Sequence, residues 1–126
     1  MILLKQKYYN EQIKQDFINA MISANKSYIY IYEGLFRTSK IFETIHGKDL
    51  YQFTVEDLLS MFKNIASNVK YTTVMSYNSL ISNYKEWIKE NNIGAISEGM
   101  CKVEDLKTIN NYKLCINQNL SNLNRM

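Results

Sequence analysis

A chain of 126 residues is long enough for one domain with a real core and too short for two, and 46% apolar with 21% charged residues argues against disorder over most of its length. It has no proline and only Gly34, Gly47, Gly94 and Gly99, too little turn punctuation for a β-rich protein, so the expected class is all-α. Fifteen Lys and Arg against twelve Asp and Glu give a net charge of +3, which permits contact with phosphates without requiring it.

The first helix is expected from Glu11 to Ala24, with Asn10 as N-cap and Ile13, Phe17, Ala20 and Met21 as its buried stripe. Before it, MILLKQKYYNEQ has too short an apolar run for a signal peptide, and nothing later spans a membrane. After Asn25 and Lys26, a second helix runs from Ser27 to Ile45, ended by His46-Gly47, with Ile29, Tyr32, Leu35, Phe36 and Phe42 inward. Tyr28 to Tyr32 alternates as a strand does, so a β segment competes there; the later i, i+3, i+4 spacing favours helix. Lys48 to Phe53 is a connection whose Leu50, Tyr51 and Phe53 should plug into the core. Thr54 with Asp57 three residues on resembles a capping box, and a third helix follows from Val55 to Ala66, burying Val55, Leu58, Leu59, Phe62 and Ile65.

Asn68 to Gly94 is the strongest periodic stretch. After a loop from Ser67 to Tyr71, Val74, Tyr77, Leu80, Ile81, Tyr84, Trp87 and Ile88 recur at three- and four-residue steps on one helical face. Lys70, Thr72, Ser76 and Ser79 lie off that stripe near the helix start, a short hydrogen-bonding front on an apolar back. A fifth, weaker segment spans Val103 to Leu114 or beyond, with Val103, Leu106, Ile109 and Ile116 as sparse apolar positions and a polar end, NQNLSNLNRM. The expected organisation is a helical module over 1–95 and a C-terminal helix and tail over 96–126.

Sliding the chain against itself by 45 residues sets Ile13 on Leu58, Phe17 on Phe62, Ala20 on Ile65, Ser27 on Thr72, Tyr32 on Tyr77, Leu35 on Leu80 and Phe36 on Ile81. Each half is then a short helix, a tight polar loop and a longer helix. Four to five helices arranged as two crossed αα-hairpins would bury both stripes in one core.

Chemistry for catalysis is sparse. His46 is the only histidine and reads as an exposed helix-end residue, and no second histidine or paired cysteine completes a metal site. Cys101 and Cys115, far apart, read as reduced cytosolic thiols. The acidic residues are spread over surface positions rather than gathered as a facing pair, and no phosphate-binding glycine loop is present. Arg37 and Arg125 are the only arginines, too few to surround a transferring phosphoryl group. The expectation is no enzyme, no cofactor and no metal. What remains is a surface: Lys26-Ser27 and Lys70-Tyr71-Thr72, each a lysine and a hydroxyl before a long helix, suit a phosphate oxygen. By spacing alone, the reading of Ser27 and Thr72 as plain N-caps is favoured, since capping needs no ligand.

Residues Ile13 to Ile93 resemble the core-binding domain of tyrosine recombinases, the SAM-like N-terminal module of phage integrases. The resemblance is carried by FTVEDLLSMF, a short polar loop and YTTVMSYNSLISNYKEWIKENNI, with Thr73 or Thr72, Tyr77, Ile81, Tyr84 and Trp87 at the family's places, and by Ser27, Tyr32 and Phe36 at its first helix start. It implies half of a DNA clamp, with the second and fourth helices laid on double-stranded DNA in the cytoplasm of a bacterial host. Lys26, Ser27, Tyr30, Arg37, Lys70, Tyr71, Thr72, Thr73, Ser76 and Ser79 are then the candidate DNA-binding residues. The catalytic domain of a complete recombinase is not found in these residues, so an excised N-terminal domain and a stand-alone regulator such as an integrase-like phage repressor are both open. The low charge counts against tight autonomous binding. The alternative is a small phage helical module that dimerises or occupies a recombinase or repressor partner, to which exposed Ile31 and Met75 would contribute.

Overall fold

The computed structural model describes residues 2–109, with side chains described from Glu11 onward. Its elements are α1 (Ile2–Ser23), α2 (Ile29–His46), a 3-10 turn (Leu50–Gln52), α3 (Val55–Ile65) and α4 (Tyr71–Glu90), and residues 103–109 are again helical. Among the described residues there is no strand, so the all-α expectation holds and the segment that alternates as a strand is helix from Ile29. α1 begins at Ile2 rather than at Glu11, which puts Asn10 inside the helix instead of at its cap. MILLKQKYY offers no glycine, proline or capping side chain to stop the helix, and one interior Asn costs only a fraction of a kcal/mol. The fifth predicted segment beyond Ile109, with Cys115, Ile116 and Arg125, lies outside the described residues.

Local chemistry fixes the helix ends around the middle of the chain. Gly47 adopts φ 66° and donates its N–H to Glu43 O, which ends α2 at His46. Thr54 and Asp57 exchange backbone and side-chain bonds, Asp57 N–H to Thr54 Oγ1 at 3.2 Å and Thr54 N–H to Asp57 Oδ2 at 3.0 Å, the expected capping box of α3. The connection before it has a second box, built from Asp49 and Gln52, that turns Leu50–Gln52 into a 3-10 helix. That turn drives Leu50, Tyr51 and Phe53 into the core.

The register of 45 residues is visible in the packing: Ile13 and Leu58, Phe17 and Phe62, Tyr32 and Tyr77, Leu35 and Leu80, and Phe36 and Ile81 are buried in both halves. Phe17 meets Tyr32, Tyr84 and Trp87 edge-on with ring centroids 4.7, 5.3 and 5.2 Å away, so one α1 side chain joins α2 to α4. Val55 and Leu59, expected in the core, are half-buried at its rim, and Val103 is half-exposed while Leu106 and Ile109 are buried. Ile31, expected outside, packs partly against the core. It lies one 100° step from Tyr32, at the edge of the inward sector rather than opposite it.

Two buried lysines organise the polar interior. Lys14 Nζ on α1 donates to Glu43 Oε2 at 2.7 Å and to Asp49 Oδ2 at 2.8 Å. Tyr84 Oη donates to Asp49 Oδ1 at 3.1 Å, and the Leu50 and Tyr51 N–H groups donate to Glu43 and Asp49. The acidic residues are therefore not all spread over the surface: the end of α2 and the 3-10 turn gather two of them on one cation. Lys85 has no carboxylate; its Nζ donates to the carbonyls of Phe53, Ser97 and Gly99 at 2.8, 2.7 and 2.9 Å. With Asn78 Nδ2 on Cys101 O at 3.1 Å and Lys89 on Glu98 at 3.0 Å, this folds residues 97–101 back along α4.

Candidate nucleic-acid interface

The two long helices that follow polar loops, α2 and α4, start without a side-chain cap. At α4 the N-cap is Lys70, in extended geometry (φ −70°, ψ 153°) but with no side-chain acceptor. Thr73 and Val74 bond back to Lys70 O at 3.0 and 3.1 Å, and the Tyr71 and Thr72 N–H groups have no partner among the described residues. At α2 the N-cap is Tyr28, again without a cap bond, and Tyr32 N–H closes the first turn on Tyr28 O at 3.0 Å. The plain N-cap account of Ser27 and Thr72 therefore fails. Ser27 precedes the cap by one residue, Thr72 is the second residue of its helix, and neither hydroxyl is hydrogen-bonded among the described residues.

Of the residues predicted for the surface, Lys26, Ser27, Tyr30, Arg37, Lys70, Thr72, Ser76 and Ser79 are exposed, while Tyr71 and Thr73 are half-buried. α2 and α4 approach at Gly34 and Tyr77, where a Cβ on Gly34 would lie 3.3 Å from Tyr77 Oη; Phe36 meets Tyr84 at 5.1 Å beyond it. Gly34 is five residues from the start of α2 and Tyr77 six from the start of α4. At 1.5 Å per residue, both bare helix ends lie within about 10 Å of one crossing. That brings the two lysine-hydroxyl pairs onto neighbouring helices. On α4, Thr72, Met75, Ser76 and Ser79 are exposed near the helix start, while Trp87 packs on Phe17 of α1 farther along and Asn78, Lys85 and Lys89 meet the returning strap.

Charge singles out the same region. From Leu58 to Lys85 there is no Asp or Glu, and with Lys85 buried the exposed cations of that stretch are Lys63 and Lys70. Lys40, Lys48 and Lys89 are neutralised by Glu11, Asp57 and Glu98, whereas Lys26, Arg37, Lys63 and Lys70 form no ion pair among the described residues. Lys63, exposed in the last turn of α3, is a cation that the sequence reading did not single out. Glu33, exposed between Tyr30 and Arg37, is the opposing charge on α2. Burial pulls the Lys85 ammonium down to about 8, and burial pushes the Glu43 carboxyl up to about 7 against the attraction of Lys14. Both belong to the interior and not to this face.

His46 departs from its expected exposure: its ring packs on Phe53 at 5.2 Å between centroids, and Nδ1 lies 3.6 Å from Asp57 Oδ1. Gly47 turns the chain there and folds the imidazole onto the capped start of α3. Cys101 is a free, buried thiol, pushed up to about 11 by burial and then by Asp105, which keeps it protonated and unreactive. Among the described residues no group of His, Cys, Asp and Glu could hold a metal ion, and no helix is long and apolar enough to cross a membrane.

A family model described as MrpR, N-terminal core-binding domain, matches residues 8–90, from within α1 to the end of α4. No curated protein and no solved structure matches the chain.

Proposed function

The chain belongs to the family of MrpR N-terminal core-binding domains, and from that premise we propose that it is a non-catalytic DNA-binding module of phage integrase type. In this proposal it acts in phage recombination or transcriptional control, on double-stranded DNA in the bacterial cytoplasm. Lys26, Ser27, Tyr30 and Arg37 on and before α2, and Lys70, Tyr71, Thr72, Thr73, Ser76 and Ser79 on and before α4, are its contact residues. The observation that carries the reading is the pair of uncapped helix starts, each next to an unpaired lysine. A helix start whose first N–H groups are free, with a positive dipole end and a cation, is built for a phosphate oxygen. The contacts are to the backbone, so they position the protein and do not read sequence.

Three cations, Lys26, Arg37 and Lys70, set the strength. With a slope of about −0.9 per neutralised phosphate, affinity should fall roughly 40-fold between 50 and 200 mM salt. A fluorescence-anisotropy titration with a labelled duplex of about two helical turns measures this directly. Lys70→Ala and Lys26→Ala should each lower affinity and reduce the salt slope by about one. A flat salt dependence, or no binding at low salt, refutes the reading.

A second reading, a helical module that dimerises or docks on a phage regulatory protein, is favoured by Ile41 and Ile45. They lie one turn apart on the outer face of α2 and are 63% and 69% exposed. Ile31 does not contribute to such a face, since it is half-buried.

A further inference from the structure

Tyr77 sits on the apolar stripe of α4 and is 7% exposed, yet its hydroxyl is neither bonded nor sealed. It has no hydrogen-bond partner among the described residues, while the unpartnered polar atoms fully closed off from solvent are Tyr32 Oη and Asn78 Oδ1. The ring is therefore core and the oxygen reaches water. It does so beside Gly34, the one position of α2 without a side chain, where an added Cβ would come to 3.3 Å of that oxygen. A glycine inside a helix is destabilising relative to alanine, so its place at this crossing calls for a reason. Four residues before Gly34 and three after it on the same helical row stand Tyr30 and Arg37, both exposed, and four residues before Tyr77 stands Thr73. A neutral donor thus opens at the floor of a short gap between two helices, with an unpaired guanidinium at its edge.

We propose that Tyr77 Oη, presented through the gap left by Gly34, donates a hydrogen bond to a non-bridging phosphate oxygen of duplex DNA, with Arg37 supplying the neighbouring positive charge. This rests on the DNA-binding reading and adds to it a residue that the apolar periodicity assigned wholly to the core. The contact is sequence-independent, and because tyrosine is neutral it adds affinity without adding to the salt slope.

The test uses the full chain, a labelled duplex of about two helical turns and anisotropy at several salt concentrations. Tyr77→Phe keeps the ring and removes only the oxygen. It should weaken binding about tenfold, the size of a hydrogen bond to a charged acceptor, with an unchanged salt slope and an unchanged thermal midpoint. Gly34→Ala, whose Cβ crowds the oxygen, should weaken the wild type severalfold and have no further effect in the Tyr77→Phe background. If Tyr77→Phe binds as wild type does while Arg37→Ala and Lys70→Ala bind more weakly, the inference is overturned and the DNA-binding reading stands. If the two substitutions add independently, the gap is not what presents the oxygen, and the inference is overturned as well. A wild type that binds no duplex at low salt overturns both.

Discussion

Glu43→Gln isolates the least comfortable charge in the protein. Glu43 Oε2 accepts from Lys14 Nζ at 2.7 Å and from Leu50 N–H at 2.8 Å, and Asp49 shares the same lysine at 2.8 Å. One ammonium therefore faces two carboxylates, with the Lys14 and Glu43 side chains each 11% exposed. Burial raises the Glu43 carboxyl from 4.5 to about 7, so the folded protein holds this proton more tightly than the unfolded chain does. The sign follows: the stabilisation is fully present below about pH 4.5 and is lost as pH rises through about 7. At 1.36 kcal/mol per pH unit across that window, the loss is roughly 3 kcal/mol, an upper figure because Glu43 shares its cation with a second carboxylate. Glutamine keeps an oxygen for Lys14 and Leu50 and carries no charge. Urea unfolding followed by Trp87, the single tryptophan, should show the two proteins about equally stable at pH 5 and the variant ahead by 1–3 kcal/mol, roughly, at pH 8. Taking the difference between the proteins removes every other titration. A variant that is weaker than wild type by the same amount at both values of pH would refute the reasoning, since the triad would then be a net attraction at all pH.

Two further substitutions separate roles that overlap at one residue or one strap. Lys85→Met strips the donor from three carbonyls and should cost roughly 3 kcal/mol by urea unfolding, with amide exchange accelerating over residues 97–101 before the rest of α4. Uniform exchange would mean that the strap is held by something other than Lys85. Lys70→Ser places a capping hydroxyl at a position whose backbone is already extended, so it should be about 1 kcal/mol more stable than Lys70→Ala and yet bind duplex DNA more weakly, because the serine occupies the N–H groups that a phosphate needs.

The helices were legible because their apolar periods are strong, and the Thr54–Asp57 box and the Gly47 stop were legible because each is a short local pattern. The start of α1 was missed because only absence of a stop, not a signal, extends a helix to Ile2. The Lys14–Glu43–Asp49 triad was not legible, since its members are 29 and 35 residues apart in the chain and meet only once α1 packs back on the end of α2 and the 3-10 turn. The role of Lys85 leaves no sequence signal for a related reason: its partners are backbone carbonyls, which leave no trace in residue identity. Of the candidate surface residues eight are exposed while Tyr71 and Thr73 are half-buried, and the hydroxyls at Ser27 and Thr72 suggested caps that the backbone does not use. Gly34 was the one available sign of the α2–α4 approach, a glycine inside a strong helical pattern.

The distribution of caps carries the remaining weight. The 3-10 turn and α3, three and eleven residues long, each have a reciprocal capping box. The two long helices of 18 and 20 residues have none, although a serine and a threonine stand within two residues of the positions that would use them. A cap contributes about 1 kcal/mol, so leaving two helices bare forgoes a noticeable part of a domain's stability. The same two starts carry Lys26 and Lys70, cations in no ion pair among the described residues, and the stretch around the second has no carboxylate from Leu58 to Lys85. Stability alone would favour the opposite pattern, capped long helices with acidic first turns as α3 has in Glu56 and Asp57. The proposed contact of both helix starts with the DNA backbone would account for the bare caps, the unpaired lysines and the missing acids together.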